Sequence, residues 1–308
     1  MTVLASPVKA RGEAHPLLVA AALGTVYIAW GSTYLAVMVM VEEMPPLTGS
    51  GTRALAAGGL LAIGLAVFIG RQVLRVTRAE LIGCATIGLL LPVGGQGLVA
   101  IAEDHGAPSG LTALLIAGVP LWVACLQALA GDRPSSPSTL GVVVGFGGVT
   151  VLIGGHGTGG DAPTGALLLV VLASMSWAFG SWLQPRLRLP ANPFVVVVYE
   201  MLVGGTVLCV MGAFQGERFS PWSYTAQVWT AWGFLLVVGS ILALTAYNWL
   251  LRATSVSVVA TYAYVTPVVA VWLGWLVLDE PVTGTTLLGA SVVVAGVALV
   301  LASKRRGS

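Results

Sequence analysis

Charge is what this sequence has least of. Lys, Arg, Asp and Glu make up 8% of its 308 residues, against roughly a quarter in a typical soluble domain. With 57% hydrophobic residues, too few charges remain to coat a water-facing surface. The formal charge of +2 says little about acidic partners, and no nucleic-acid partner is expected. Cysteine is scarce too. Cys84, Cys125 and Cys209 each lie inside an apolar run and read as buried thiols, with neither a disulfide framework nor a CxxC pair. Nothing resembles H-E-x-x-H, and His15, His105 and His156 all fall outside the apolar core, so neither a metal site nor an intramembrane hydrolase is expected. A G-x-x-x-x-G-K-[ST] motif is missing as well. The glycine-rich "GGHGTGG" at 154–160 therefore reads as a flexible loop, ATP is excluded as a direct energy source, and no cofactor is implied.

What the chain has instead is long apolar runs, at 17–41, 46–70, 81–102, 110–130, 139–155, 165–185, 194–214, 229–251, 258–278 and 286–303. Most approach the ~20 residues that a helix needs to cross the ~30 Å of hydrocarbon in a bilayer. Without water to satisfy backbone groups, each span must be helical. The expected fold is all-α and integral to the membrane, with a tail at 1–16 before the first span and a basic tail at 304–308. The first run follows Lys9 and Arg11 as a signal peptide would. At about 25 residues it outlasts an h-region of ~7–15, so it reads as a retained span.

The placement of charge orients the spans. Loops on the side of the termini hold Lys9, Arg11, Arg71, Arg75, Arg78, Arg133, Arg186, Arg188, Arg252, Lys304, Arg305 and Arg306. The opposite loops hold only Arg218, together with Glu42, Glu43, Glu103, Asp104, Asp161, Glu217, Asp279 and Glu280. The positive-inside rule then puts both termini in the cytoplasm of a multi-pass plasma-membrane protein.

The chain also repeats itself. "PLTGSGTRALAAGG" around Arg53 is answered 147 residues later by "PFVVVVYEMLVGG" around Glu200. At the same offset Pro120 pairs with Pro267, Asp132 with Asp279 and Pro134 with Pro281. The pair Gly31-Ser32 of "AWGSTYL" recurs in "AFGSWL". Five spans per repeat is an odd number, so the second half, 165–303, enters the membrane inverted relative to the first, 17–155. Such inverted repeats place a central site where the halves meet, the general plan of secondary transporters.

These motifs carry a family resemblance over roughly residues 17–303. The carrying residues are "AWGSTYLA", the "P…TR" that opens span two, "APSGLTALLIAGVPLWV" followed by "GDRP", "SWAFGS", and "TYAYVTPVVAVWLG" with its later "DEP". In their order and duplication the chain resembles the EamA family of the drug/metabolite transporter superfamily. The resemblance implies ten helices around a central cavity and export of small metabolites, amino acids or drugs among them, by alternating access. One departure stands out. Family members often carry Glu after span four, as Asp279-Glu280 still shows after span nine, but this chain has Asp132-Arg133.

Candidate site residues follow from what a span tolerates. An ionisable side chain in a span faces protein or water and is a functional candidate. Arg53 offers a planar, permanent charge for a carboxylate, or it snorkels to the interface. Glu200, the one acid placed clearly inside a span, takes up protons or a substrate ammonium, or else caps or pairs with a neighbour. At 1.5 Å per residue Arg53 lies about 11 Å from one face and Glu200 about 9 Å from the other. Aromatic residues normally crowd interfaces, yet Tyr27, Trp30 and Tyr34 share one helical face near mid-span. With Trp177 and Trp182 of span six and Tyr262, Tyr264 and Trp272 of span nine they form a cage for an aromatic or cationic substrate, or pack as ordinary core. Pro120 and Pro267 free carbonyls near Ile116 and Ala263, making hinges or cavity walls, or simply kink their helices. Ser32 and Gln96 complete the polar cavity candidates, though Gln96, like Asn248, taken alone reads as an interhelical hydrogen bond. Gly141 and Gly145 form a GxxxG for close packing, inside the chain or between protomers. The expected function is secondary export, with protons as a candidate coupling ion. An uncoupled facilitator and a non-transporting receptor or scaffold are the alternatives, and an enzyme is not expected.

Overall fold

A computed structural model describes residues 15–131, 135–156, 163–254, 256–259 and 261–305. Residues 1–14, Asp132, Arg133, Pro134, Asp161 and Arg306, and the side chains of Tyr264, Lys304 and Arg305, lie outside what it describes. So do residues 157–160 of the glycine-rich loop. The described chain is helical, with no strand among the described residues, and forms ten rods. Four are simple: α1 (Pro16–Val41), α2 (Pro46–Phe68), α6 (Thr164–Leu183) and α7 (Pro193–Phe214). α3 runs Arg78–Asp104, α4 Ser109–Leu129 and α8 Ala226–Ala253, each in consecutive segments. α5 (Ser136–His156) and α10 (Gly284–Arg305) close the two halves, and α9 comprises Val256–Val259 and Tyr262–Leu278.

Seven of the rods are long and apolar enough to span a bilayer, and α5, α9 and α10 carry shorter apolar stretches. Outward-pointing Ile28, Leu60, Ile63, Leu172, Val268, Trp272 and Trp275 give the bundle an apolar exterior, as suits a lipid solvent.

Local chemistry sets the repeat boundaries. Pro46 and Pro193 occupy the first turns of α2 and α7, where a missing N–H costs nothing and φ is already helical. Gly70 and Gly216, with φ of 109° and 78°, end the same two helices in a backbone region that side chains rarely adopt. The duplicated "proline, charge, glycine" pattern thus builds duplicated helices.

Packing follows the same symmetry. α2 lies against its own counterpart α7, and α5 against its counterpart α10. α1 contacts α8 and α9, while its counterpart α6 contacts α3 and α4. Glycine lets the self-paired helices approach closely: a side-chain carbon on Gly205 of α7 would stand 2.8 Å from the Gly51 carbonyl of α2. One on Gly296 of α10 would stand 2.4 Å from the Gly145 Cα of α5. Gly141 and Gly145 therefore serve packing inside the chain.

Two of the predicted kinks are realised differently. α4 breaks at Ala117–Gly118, and Pro120 stands in the first turn of the restarted helix rather than at a mid-helix kink. Pro267 lies inside a continuous stretch of α9 that begins at Tyr262, and the preceding segment ends about two turns before the proline, at Val259.

The sequence pattern also missed a deformation. α3 and α8 each contain a nine-residue π-helical segment, Leu89–Gly97 and Leu235–Ala243. The two sit one repeat length apart. π-segments bend a helix and widen its turn, and they recur at functional sites.

Candidate functional site

One cavity of about 640 Å³, counting the space at its mouth, lies where the repeats cross. Seven helices contribute: Trp30, Thr33, Tyr34 and Val37 from α1, Arg53 from α2, Gly95, Gln96 and Val99 from α3, Ile116 from α4, Trp177 from α6, Leu235 and Gly239 from α8, and Tyr262 from α9.

The charge in this lining is Arg53, 3% exposed. No carboxylate lies within 4.0 Å of it among the described residues, where the ion pair recorded is His105 with Asp104. Polar neutral groups hold the guanidinium instead. Nη2 donates to the Gln96 side-chain oxygen at 2.8 Å. Nη1 donates to the Ser240 hydroxyl and, at 3.5 Å, to the Leu235 carbonyl. Gln96 belongs to one π-segment, and Ser240 and Leu235 belong to the other. Arg53 therefore ties together the two deformed turns and does not snorkel. Nε has no partner.

Aromatic rings close one end of the cavity. Trp30 packs edge-to-face against Trp177 at 5.3 Å between centroids and against Tyr262 at 5.2 Å, with Tyr247 tilted onto it at 4.9 Å. Gly95 makes the floor possible, since a side-chain carbon there would stand 2.6 Å from Trp177 Cε3. Beneath the floor, toward the face that carries the termini, Tyr27 bonds Thr261 at 2.5 Å, Ser181 bonds Tyr247 at 2.9 Å, and Gln184 donates to Asn248 at 2.5 Å. Each of these pairs joins two helices, so they seal that half of the bundle.

At the opposite face, glutamates from loops hold helix N-termini. Glu217, after α7, accepts from the Leu47 and Thr48 amides at 3.2 and 2.7 Å and from the Thr48 hydroxyl at 2.5 Å. Glu280, after α9, accepts from the Ser109 and Gly110 amides of α4 at 2.7 and 3.0 Å. Glu43, after α1, accepts from the Thr225 amide that opens α8 at 2.7 Å. Free N–H groups and the helix dipole favour a carboxylate at such positions. All three join one repeat to the other.

Of the sequence candidates, Trp30, Tyr34, Arg53, Gln96, Trp177 and Tyr262 line the cavity. Tyr27 lies below it in the Thr261 pair, and Ser32 turns its hydroxyl back to the Ile28 and Ala29 carbonyls of its own helix. Two aromatic residues proposed for the cage are elsewhere. Trp182 carries the Arg186 guanidinium over its ring at 4.0 Å, and Trp272 faces outward. Ile116, whose carbonyl loses its helical donor to Pro120, is in the wall.

Glu200 is fully buried, but between α3 and α8 and outside the cavity lining. Neither of its oxygens has a hydrogen-bond partner within 3.5 Å, and Asn248 is the polar side chain facing it. Arg53 and Glu200, the duplicated charged positions, form no ion pair. Glu103 is a correction to the sequence reading. Assigned to a loop, it lies in the last turn of α3, 2% exposed and with neither oxygen hydrogen-bonded. Glu200 is thus not the bundle's lone buried acid. Glu103 was missed because it stands at the end of its apolar run, and Ser240 and Tyr247 because a hydroxyl inside an apolar run carries no mark of which way it faces.

Comparison with known proteins supplies the family. The model of the EamA-like transporter family matches residues 17–154 and again 164–302. This chain belongs to that family. It is 38% identical to the uncharacterized inner membrane transporter YedA of Escherichia coli K12, over 92% of this chain and 90% of that one. It is 26% identical to a probable amino-acid metabolite efflux pump of Salmonella typhimurium, over 88% and 90%. A solved crystal structure superposes with a TM-score of 0.64 at 19% identity, over 94% of this chain and 99% of the other, which is a likeness of fold. The chain is accordingly a multi-pass membrane transporter of the EamA family, built from two inverted five-helix repeats around a central cavity.

Proposed function

We propose that this EamA protein is a secondary active exporter of small metabolites. It works by alternating access, sits in the plasma membrane with both termini in the cytoplasm, and moves protons through Glu200. The observation that carries this reading is a cavity at the crossing of the two repeats, shut toward the termini-bearing face by rings and hydrogen-bonded pairs. Alternation then amounts to opening those pairs while the cross-repeat glutamate caps at the other face close or shift.

Coupling to protons suffices energetically. One proton crossing about 100 mV carries ~2.3 kcal/mol, equivalent to a solute gradient of about fifty-fold. A buried carboxyl that meets water in one state and protein in the other is the part such a cycle needs. A second reading is uncoupled facilitation, which the position of Glu200 outside the cavity lining favours.

The test uses inside-out vesicles, a pooled library of amino acids and their derivatives, and mass spectrometry with and without an imposed proton gradient. Gradient-driven accumulation supports coupled export. Equilibration without accumulation assigns facilitation, and absence of any flux returns the binding-only reading.

A further inference from the structure

The cavity holds a built but incomplete anion site. A guanidinium has five N–H donors. The recorded bonds of Arg53 use two on Nη1 and one on Nη2, leaving Nε–H and the second Nη2–H without partners among the described residues. Arg53 lines the cavity with its charge met by neutral groups alone, and a guanidinium is the side chain whose geometry a carboxylate matches best. Gln96 and Ser240 lie in different helices and hold the guanidinium between them, so the charge is positioned before any ligand arrives.

No opposite charge offsets Arg53 in this space. The acids of the bundle interior, Glu103 and Glu200, both lie outside the lining. The aromatic residues do not provide a cation cage either. Trp30 meets Trp177 and Tyr262 at interplanar angles of 90° and 83°, so the rings spend faces and edges on one another. What they present is an apolar floor. Apolar Val37, Val99, Ile116 and Leu235 continue that surface on the walls.

We infer that the cavity of this transporter binds organic monocarboxylates with a flat apolar body, the carboxylate at Arg53 and the body against the aromatic floor, and that it discriminates against cations. An ammonium is not required, because the lining offers it no acid. This deepens the exporter reading by naming a solute class, and it rests on the same cavity.

The test holds the skeleton constant and changes only the charge. Purified protein in detergent is titrated calorimetrically with 3-phenylpropionate, 3-phenylpropanol and 3-phenylpropylamine. The carboxylate is expected to bind at least about tenfold more tightly than the alcohol, the factor commanded by one charge-assisted hydrogen bond. The amine is expected to bind more weakly than the alcohol. In Arg53→Gln the three should converge. Equal or tighter binding of the amine overturns the inference, as does a carboxylate preference that survives Arg53→Gln in a folded variant. The ligand order in the unmodified protein is decisive by itself if that variant fails to fold. Because no gradient or flux is involved, anion binding without transport refutes the exporter reading and leaves this one standing. Proton-driven transport of amines alone does the reverse.

Discussion

The aromatic floor depends on the absence of one methyl group. A side-chain carbon at Gly95 would lie 2.6 Å from Trp177 Cε3, where ordinary contacts fall at 3.4–4 Å, so the ring has to retreat by about 1 Å. Trp177 is buried and braced against Trp30, so the retreat is resisted. Overpacking of this kind costs ~1–3 kcal/mol. Alanine returns up to about 1 kcal/mol through its better helix propensity. Gly95→Ala should therefore destabilise by roughly 0–3 kcal/mol net.

A double-mutant cycle separates the two contributions. Trp177→Leu alone removes ring contacts and should cost ~2–4 kcal/mol. In that background the clash is gone and only the propensity gain remains, so Gly95→Ala should turn neutral or stabilising by up to about 1 kcal/mol. The coupling of ~1–3 kcal/mol is read from unfolding in mixed micelles followed by circular dichroism. Additive costs would refute the claim that Gly95 exists to seat the ring. The single variant should also lose transport more than its stability alone explains, because the floor of the cavity has moved.

Three further outcomes follow from the packing and the buried acids. Gly296→Val forces α10 away from the Gly145 backbone, which has no side-chain end to give way, and should destabilise by more than about 2 kcal/mol by the same assay. Glu280→Ala strips two amides of their acceptor and should cost ~1–3 kcal/mol, whereas Glu280→Gln, which keeps one acceptor oxygen, should cost about half as much; equal effects would count against a capping role. Glu200→Gln should leave the fold intact and abolish proton-driven accumulation while sparing counterflow of solute, and unchanged accumulation in vesicles would remove Glu200 from the coupling step.

Composition and repetition made the fold legible. Ten apolar runs and a 147-residue offset forecast the helices, and the matched prolines and glycines set where α2 and α7 begin and end. Most of the cavity wall could be read as well, because Trp30, Arg53, Gln96, Trp177 and Tyr262 are residue types out of place in lipid. The π-segments were hidden for a physical reason. Pro92 lies in the first, but "LLVVGSILA" contains no proline and differs from any apolar helix only in Gly239-Ser240. Glu103 was hidden because a run of apolar residues ending in Glu-Asp has no internal mark of where the helix stops. A charge at the end of a run looks like a loop until neighbouring helices are known to cover it.

The duplicated charge shows why a symmetric backbone yields an asymmetric site. Arg53 and Glu200 occupy one repeat position, and both lie between α3 and α8. Around Arg53 the facing residues are Gln96 and Ser240, acceptors in two widened turns beside open space. Around Glu200 they are Gly88, packed against its backbone carbonyl, and Asn248, already engaged with Gln184 and with the Leu244 carbonyl. An arginine placed there would meet closed packing, and a glutamate at position 53 would face acceptors with nothing to donate except the Ser240 hydroxyl and the Gln96 amide. Exchange of the two, as Arg53→Glu with Glu200→Arg, should therefore fail to restore folding, even though the repeats superpose in sequence. Recovery of a stable, monodisperse double variant would mean that the backbone, rather than these neighbours, decides where the charge belongs.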